Sequence, residues 1–229
     1  VDVAPNGTRH IRLVGEAELR PQTITVPGDP SSAAFFIVAA LIVPGSDVTI
    51  THVGINPTRA GLIGVLQAMG GQIDLLNLRE VGGEPVADLR VRHSSLRGVE
   101  VDPAIAPSMI DEFPILFVAA ALAEGTTTTR DLHELRVKES DRLAVMATGL
   151  TAIGARVEER GDGLVITGTG GAPLAGGAMI AGHLDHRICM SFAVAGLVCR
   201  HAVTIDDMTP VGTSFPGFER LLALLLPRD

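Results

Sequence analysis

Tryptophan and tyrosine are absent from the 229 residues, and phenylalanine occurs only seven times. The core must therefore be built from Ala, Val, Leu and Ile, and the chain has few rings on which bases could stack. With a net charge of −8 and no basic run, the composition argues against a nucleic-acid partner. Cys189 and Cys199 are the only cysteines and lie ten residues apart. They form neither a CxxC pair nor a disulfide framework, which fits a reducing compartment and predicts a cytoplasmic location. The seven histidines fall at no metal-ligand spacing with one another or with the cysteines, so no metal is expected. GxxxxGK[ST] and GxGxxG loops and a Gly-x-Ser-x-Gly elbow are missing, so no nucleotide cofactor is expected either. The longest apolar run, Ala33 to Val43, has 11 residues, too few to cross a membrane. No signal peptide is expected from Val1 onward, and Val1 to Thr8 reads as mid-chain sequence. What remains, at 46% hydrophobic and 19% charged, predicts a large core and acid–base chemistry on an anionic small molecule.

The stretch Leu135-Arg-Val-Lys-Glu-Ser-Asp-Arg-Leu143 concentrates charge. Arg136, Lys138, Glu139, Asp141 and Arg142 stand at the mouth of an apolar pattern, Leu143, Met146, Leu150 and Ile153, with helical spacing. Ser140 or Glu139 is expected to open that helix. Helix starts favour acids over cations, so Lys138 and Arg142 are placed against preference unless an anion binds there. Lys138 is also the single lysine among 18 basic side chains, and a compact ammonium fits where a planar guanidinium does not. A salt-bridged, solvated helix start accounts equally well for such a run. Asp185-His186-Arg187 repeats the pattern of cations at the start of an apolar helix. Arg142 and Arg187 together could clamp a carboxylate or phosphate. Glu139 could shuttle a proton or simply pair with Lys138. Asp111, in Ser108-Met-Ile-Asp-Glu-Phe-Pro114, sits among apolar neighbours that can raise a carboxylate pKa towards general-base use.

Self-similarity sets the expected architecture. Asp29, Asp111 and Asp185 each precede an Ala-rich helix, with spacings of 82 and 74 residues. Asp is a preferred cap, and for Asp29, followed by Pro30, Ser31 and Ser32, capping suffices. Each helix is followed by a strand and a second helix: 47–53 with 58–69, 126–132 with 140–153, and 202–206 with 213–226. Strand pairs 72–76 with 87–92, and 156–159 with 164–167, close the first two units. Residues 10–15 and 22–26 alternate like strands. The pattern predicts an α/β (α+β) fold of three helix-strand-helix-strand-strand units, 27–98, 99–170 and 171–229, around a shared core of helices. The third unit is short of its last two strands, which an outside segment is expected to supply.

Pro27-Gly-Asp-Pro-Ser-Ser32, Leu135 to Arg142, Leu184-Asp-His-Arg187 and Thr213-Ser-Phe-Pro216 occur together and in this order. The set resembles the C-terminal part of the 5-enolpyruvylshikimate-3-phosphate synthase family, nearer its glyphosate-tolerant bacterial class than its enteric class. The related UDP-N-acetylglucosamine enolpyruvyl transferases share the repeat plan but fit these motifs poorly. The resemblance implies two three-unit domains with the ligands in the cleft between them. Residues 1–26 would then be the last strands of an otherwise missing N-terminal domain, and 27–229 the C-terminal domain. It further implies transfer of the enolpyruvyl group of phosphoenolpyruvate to the 5-hydroxyl of shikimate 3-phosphate, without a cofactor. Asp111 would bind and deprotonate that hydroxyl, with Lys138 beside it. Glu139 would handle the proton at the methylene carbon. Arg142 and Arg187 would clamp the phosphoenolpyruvate carboxylate, with His186 adjacent. Thr213 stands where enteric enzymes carry a phosphate-binding lysine and is left out of the site. A non-catalytic repeat domain that assembles with a partner is the competing expectation.

Overall fold

The computed structural model of the chain describes residues 1–16, 18–21 and 23–225. It opens with a small hairpin, β1 (Asp2–Val3) and β2 (Arg9–His10). The first unit follows: α1 (Pro30–Ile42), β3 (Asp47–Gly54), α2 (Gly61–Ala68), β4 (Gln72–Val81) and β5 (Glu84–Arg92). The second has α3 (Phe113–Leu122), β6 (Thr126–Thr128), α4 (Arg142–Ala152), β7 (Arg156–Arg160) and β8 (Gly163–Thr167). The third holds β9 (Leu174–Gly176), β10 (Met179–Ile180), α5 (His186–Gly196), β11 (Cys199–His201), β12 (Thr204–Ile205), α6 (Thr209–Ser214) and α7 (Phe218–Leu225).

The strand orders β3-β5-β4 and β6-β8-β7 are the same, and both sheets are antiparallel. The repeat has one further member that the spacing did not reveal. The segment ahead of each first helix runs parallel to the strand behind it. Gly28 bridges Val53, Arg97 and Glu100 bridge Glu124 and Thr128, and β9 and β10 pair with β11 and β12. Each unit is thus a strand, a crossover helix and a parallel strand before the second helix. Among the described residues, nothing in the third unit corresponds to β4 and β5 or to β7 and β8.

The first helices form the centre. Asp29 caps α1 by accepting from the amides of Ser31 and Ser32, and Pro30 fills the first helical position. All ten residues of α3 are buried, as expected for a helix that is apolar all round. The three helices α1, α3 and α5 pack pairwise, and their N-terminal ends meet.

Several expected boundaries shift. The only strand residue within 10–15 is His10, and the described part of 22–26 has none, Gln22 lying outside the described residues. Alternation alone formed no ladder there: Ile24 and Thr25 lie against Gly82 in the turn between β4 and β5 without joining that sheet. The helix expected from 140 starts at Arg142, and its cap is Asp141, which accepts from the Ala144 amide at 3.1 Å. Strand 202–206 contracts to β12, with β11 ahead of it. Helix 213–226 breaks into α6 and α7 around Phe215, Pro216 and Gly217, where Gly217 has φ +87°; Leu226 lies outside the described residues.

Gly149 on α4 admits Phe192 of α5: a Cβ there would lie 2.8 Å from the ring's Cε2, and Phe192 is fully buried. Alanine would gain about 1 kcal/mol of helix propensity but overpack the core at a cost of about 1–3 kcal/mol. Gly149→Ala should lower the urea midpoint, and Phe192→Leu in the same chain should recover part of the loss. A Gly149→Ala protein as stable as the parent would contradict this packing.

Candidate functional site

The charge run divides in two. Arg136 turns outward and pairs with Asp141, Glu159 and Asp162, joining its turn to the β7–β8 hairpin. For this residue the salt-bridged account is right. Lys138, Glu139 and Arg142 turn inward, towards the N-terminal ends of α3 and α5. Lys138 precedes α4 in an extended conformation, with its Nζ 3.6 Å from Asp111 and 3.4 Å from Glu134.

Arg142 is the centre of the cluster. Its side chain is 1% exposed and Asp185 is fully buried. Arg142 Nε donates to Asp185 Oδ2 at 2.8 Å, Nη1 donates to Asp111 Oδ1 at 2.9 Å, and Nη2 pairs with Glu139. Asp185 also accepts from Ser140 Oγ at 2.9 Å and caps α5 through the Arg187 amide. The protein's own carboxylates therefore occupy the place where the helix-mouth pattern called for an external anion. Their charge offsets the cations at the helix starts. It also follows that Arg142 offers a ligand almost no free surface: it joins a clamp only by exchanging one of these partners. Glu139 pairs with Arg142 rather than with Lys138.

Arg187 is placed differently. Its Nη1 donates to the Asp111 carbonyl at 3.2 Å and faces Glu112 at 3.5 Å, while Nη2 lies 3.7 Å from Asp111 Oδ2. The guanidinium keeps some exposed surface, as does Lys138. Asp111 is half-buried and is not a helix cap; it lies in the 3-10 turn before α3. Burial pushes its pKa up, but Arg187, Lys138 and Arg142 outweigh that and hold it below the ordinary carboxylate value. The expected rise from apolar neighbours is thus reversed, because three cations from distant parts of the chain converge on it. Burial, with Arg187 adjacent, lowers the His186 pKa, so this imidazole is neutral at pH 7 and supplies no charge to an anion.

All the predicted residues, Asp111, Lys138, Glu139, Arg142, His186 and Arg187, come together at one end of the helical core. Sequence reasoning missed Glu112 and Arg59. Glu112 is buried and accepts from Ser31 Oγ at 2.5 Å; Arg59 contacts Asp29 and Ser31, both at 3.1 Å. Adjacency to Asp111 was the only signal for Glu112, and nothing local marked Arg59. Thr213 is exposed on α6. Among the described residues no group of His, Cys, Asp or Glu is arranged to hold a metal ion, and no helix is long and apolar enough to cross a membrane.

The family model of EPSP synthase (3-phosphoshikimate 1-carboxyvinyltransferase) matches residues 1–222. The chain is 78% identical over 223 residues to the 3-phosphoshikimate 1-carboxyvinyltransferase of Sphingopyxis alaskensis, covering 97% of this chain and 50% of that protein. Identity to the protein of the same name from Zymomonas mobilis is 64% over 219 residues, 94% of this chain and 48% of the relative. The structure superimposes on EPSP synthase from Acinetobacter baumannii with a TM-score of 0.89 at 46% identity, over 93% of this chain and 49% of that one. The enolpyruvyl transferase NikO from Streptomyces tendae shares the fold, with a TM-score of 0.64 at 21% identity. The chain spans about half the length of the curated relatives it matches.

The buried pair should dominate local stability. Asp185→Asn leaves Arg142 short of a charge partner and should cost about 3 kcal/mol. Arg142, through hydrogen bonding and charge, holds the Asp185 pKa low despite burial. Its contribution is therefore present above the ordinary carboxylate range and is lost as pH falls below about 4. Denaturant melts at pH 7 and pH 3.5 should show a smaller acid-induced loss for Asp185→Asn than for the parent. Equal losses would contradict the assignment.

Proposed function

The chain belongs to the EPSP synthase family, and from that membership we propose that it supplies one wall of an active site that transfers the enolpyruvyl group of phosphoenolpyruvate to the 5-hydroxyl of shikimate 3-phosphate. Residues 27–229 form this domain, and residues 1–26 lead to the rest of the protein. The observation that carries the proposal is the meeting of Asp111, Lys138, Glu139 and Arg187 at the N-terminal ends of α3, α4 and α5.

The bond changes fix which protons must move, and the family resemblance suggests which residues move them. C2 of phosphoenolpyruvate must accept the 5-hydroxyl oxygen of shikimate 3-phosphate before its bond to phosphate breaks, so C3 must first take up a proton and later return it. Asp111, kept ionised at neutral pH by its three cations, accepts the hydroxyl proton as the C–O bond forms; that proton leaves with the phosphate. Glu139, half-exposed beside Arg142, enters the step protonated once Arg142 has exchanged it for the ligand, gives that proton to C3 and takes it back, ending the cycle protonated as it began. Lys138 and Arg187 hold the anionic groups. Arg142 joins the carboxylate clamp by trading Glu139 or Asp111 for the ligand, and neutral His186 contributes a hydrogen bond. Catalysis needs the opposite wall as well, because one wall neither excludes water nor fixes two substrates in reactive geometry.

A chimera joining this chain to the part of the Sphingopyxis alaskensis relative outside the match provides the test, with phosphate release from the two substrates as the readout. The chimera should turn over and the chain alone should not. In the chimera, Asp111→Asn should lower turnover by about a hundredfold or more, and Lys138→Arg by at least about tenfold. Near-parental kinetics for both variants would overturn the roles. A folded but inactive chimera would favour a non-catalytic repeat domain.

A further inference from the structure

Two acids of the cluster are buried, Asp185 and Glu112; Asp185 pairs with Arg142, whereas Glu112 has no part in the proposed chemistry. It is 5% exposed, and it touches all three units. It accepts from Ser31 Oγ at the start of α1 at 2.5 Å, lies in the turn leading into α3, and faces Arg187 Nη1 on α5 at 3.5 Å. The same Nη1 donates to the Asp111 carbonyl at 3.2 Å. One edge of the guanidinium is thus held against the turn, and Nη2 is left 3.7 Å from Asp111 Oδ2. Ser31 also accepts from Arg59 Nη2 at 3.1 Å, so the link continues to the loop behind β3.

A carboxylate in this position gives up its hydration, which a small apolar side chain would not have to do. What the charge adds is direction: a flexible arginine is fixed at one nitrogen, and its helix is tied to a second helix through a hydroxyl. We infer that Glu112 is a positioning residue for the anion site, holding one edge of Arg187 and anchoring it to the start of α1 through Ser31. The inference rests on the proposed function for what Arg187 binds, but not for the geometry that Glu112 imposes.

The groups facing Glu112 are Ser31 from α1, Arg59 from the loop after β3, Asp111 from its own turn and Arg187 from α5. Burial pushes its pKa up, against the Ser31 hydrogen bond and the Arg187 charge, with Asp111 adding to the rise. Acidification therefore protonates Glu112 before an ordinary glutamate and loosens its hold on Arg187.

The test is nuclear magnetic resonance of the arginine side chains in the 15N-labelled chain, from pH 7.5 to 4. Arg187 is assigned by the signal lost in Arg187→Lys. In the parent, the Arg187 Nε–H should be ordered at pH 7, with an order parameter near about 0.85, and should shift as Glu112 titrates. In Glu112→Gln the order parameter should fall below about 0.6, and the part of the shift that follows Glu112 should be lost, leaving that of His186, which is identified by its absence in His186→Gln. Ser31→Ala removes a hydrogen bond that favours the ionised acid, so it should move the shift to higher pH; this holds the inference open to refutation even if Glu112→Gln does not fold. An Arg187 equally ordered in Glu112→Gln, or a titration unmoved by Ser31→Ala, would overturn it. If the chimera folds without turnover while Glu112 still orders Arg187, the proposed function fails and the positioning role stands.

Discussion

The Arg142 guanidinium, buried and shared among Asp185, Asp111 and Glu139, is the contact on which the site depends. It joins the start of α4 to the cap of α5 and to the turn before α3. Around it the core is almost wholly aliphatic; buried polar side chains among the described residues are few. A charge removed from water in such surroundings is tolerated only when its partners are close and its hydrogen bonds are made. Arg142 meets that condition with three carboxylates, so the helices that carry them have one arrangement that satisfies it.

The same contact decides how the cluster treats an anion. The cations are present, as their placement at helix starts suggested, but the chain has already compensated them. A ligand meets Lys138 and Arg187 first, because these keep exposed surface. Reaching Arg142 requires exchange with an internal carboxylate. Asp111 is shaped by the same balance: three cations keep it ionised and lower its basicity. In the proposed reaction this balance suits a proton acceptor held against its hydroxyl more than a strong base acting from a distance.

Much of this was legible in the sequence. The recurring acid and Ala-rich helix marked the three units, and the dipole-opposed cations at Lys138, Arg142 and Arg187 pointed to the site. What was hidden depends on partners distant in sequence. The parallel segments ahead of the first helices rest on bridges as short as Gly28 to Val53, which leave no periodic trace. The downward pKa shift of Asp111 comes from residues 27 to 76 positions away, whereas Met109, Ile110, Phe113 and Pro114 around it are apolar and suggested the reverse. Glu112 looked like a neighbour of Asp111 and became meaningful only when Ser31, 81 positions away, was found against it. The expected strand at 10–15 failed for the complementary reason: local alternation specifies a strand only where another strand is there to pair with it.

The central claim is that the N-terminal ends of α3, α4 and α5 form one anion-binding surface. Titrating the 15N-labelled chain with phosphoenolpyruvate, while following backbone amide shifts, tests it most directly. The account predicts saturable shifts gathered at Asp111, Glu112, Lys138, Glu139, His186 and Arg187, and none at the opposite helix ends around Leu122, Ala152 and Gly196. Shifts scattered over the surface, or gathered at those opposite ends, would contradict it.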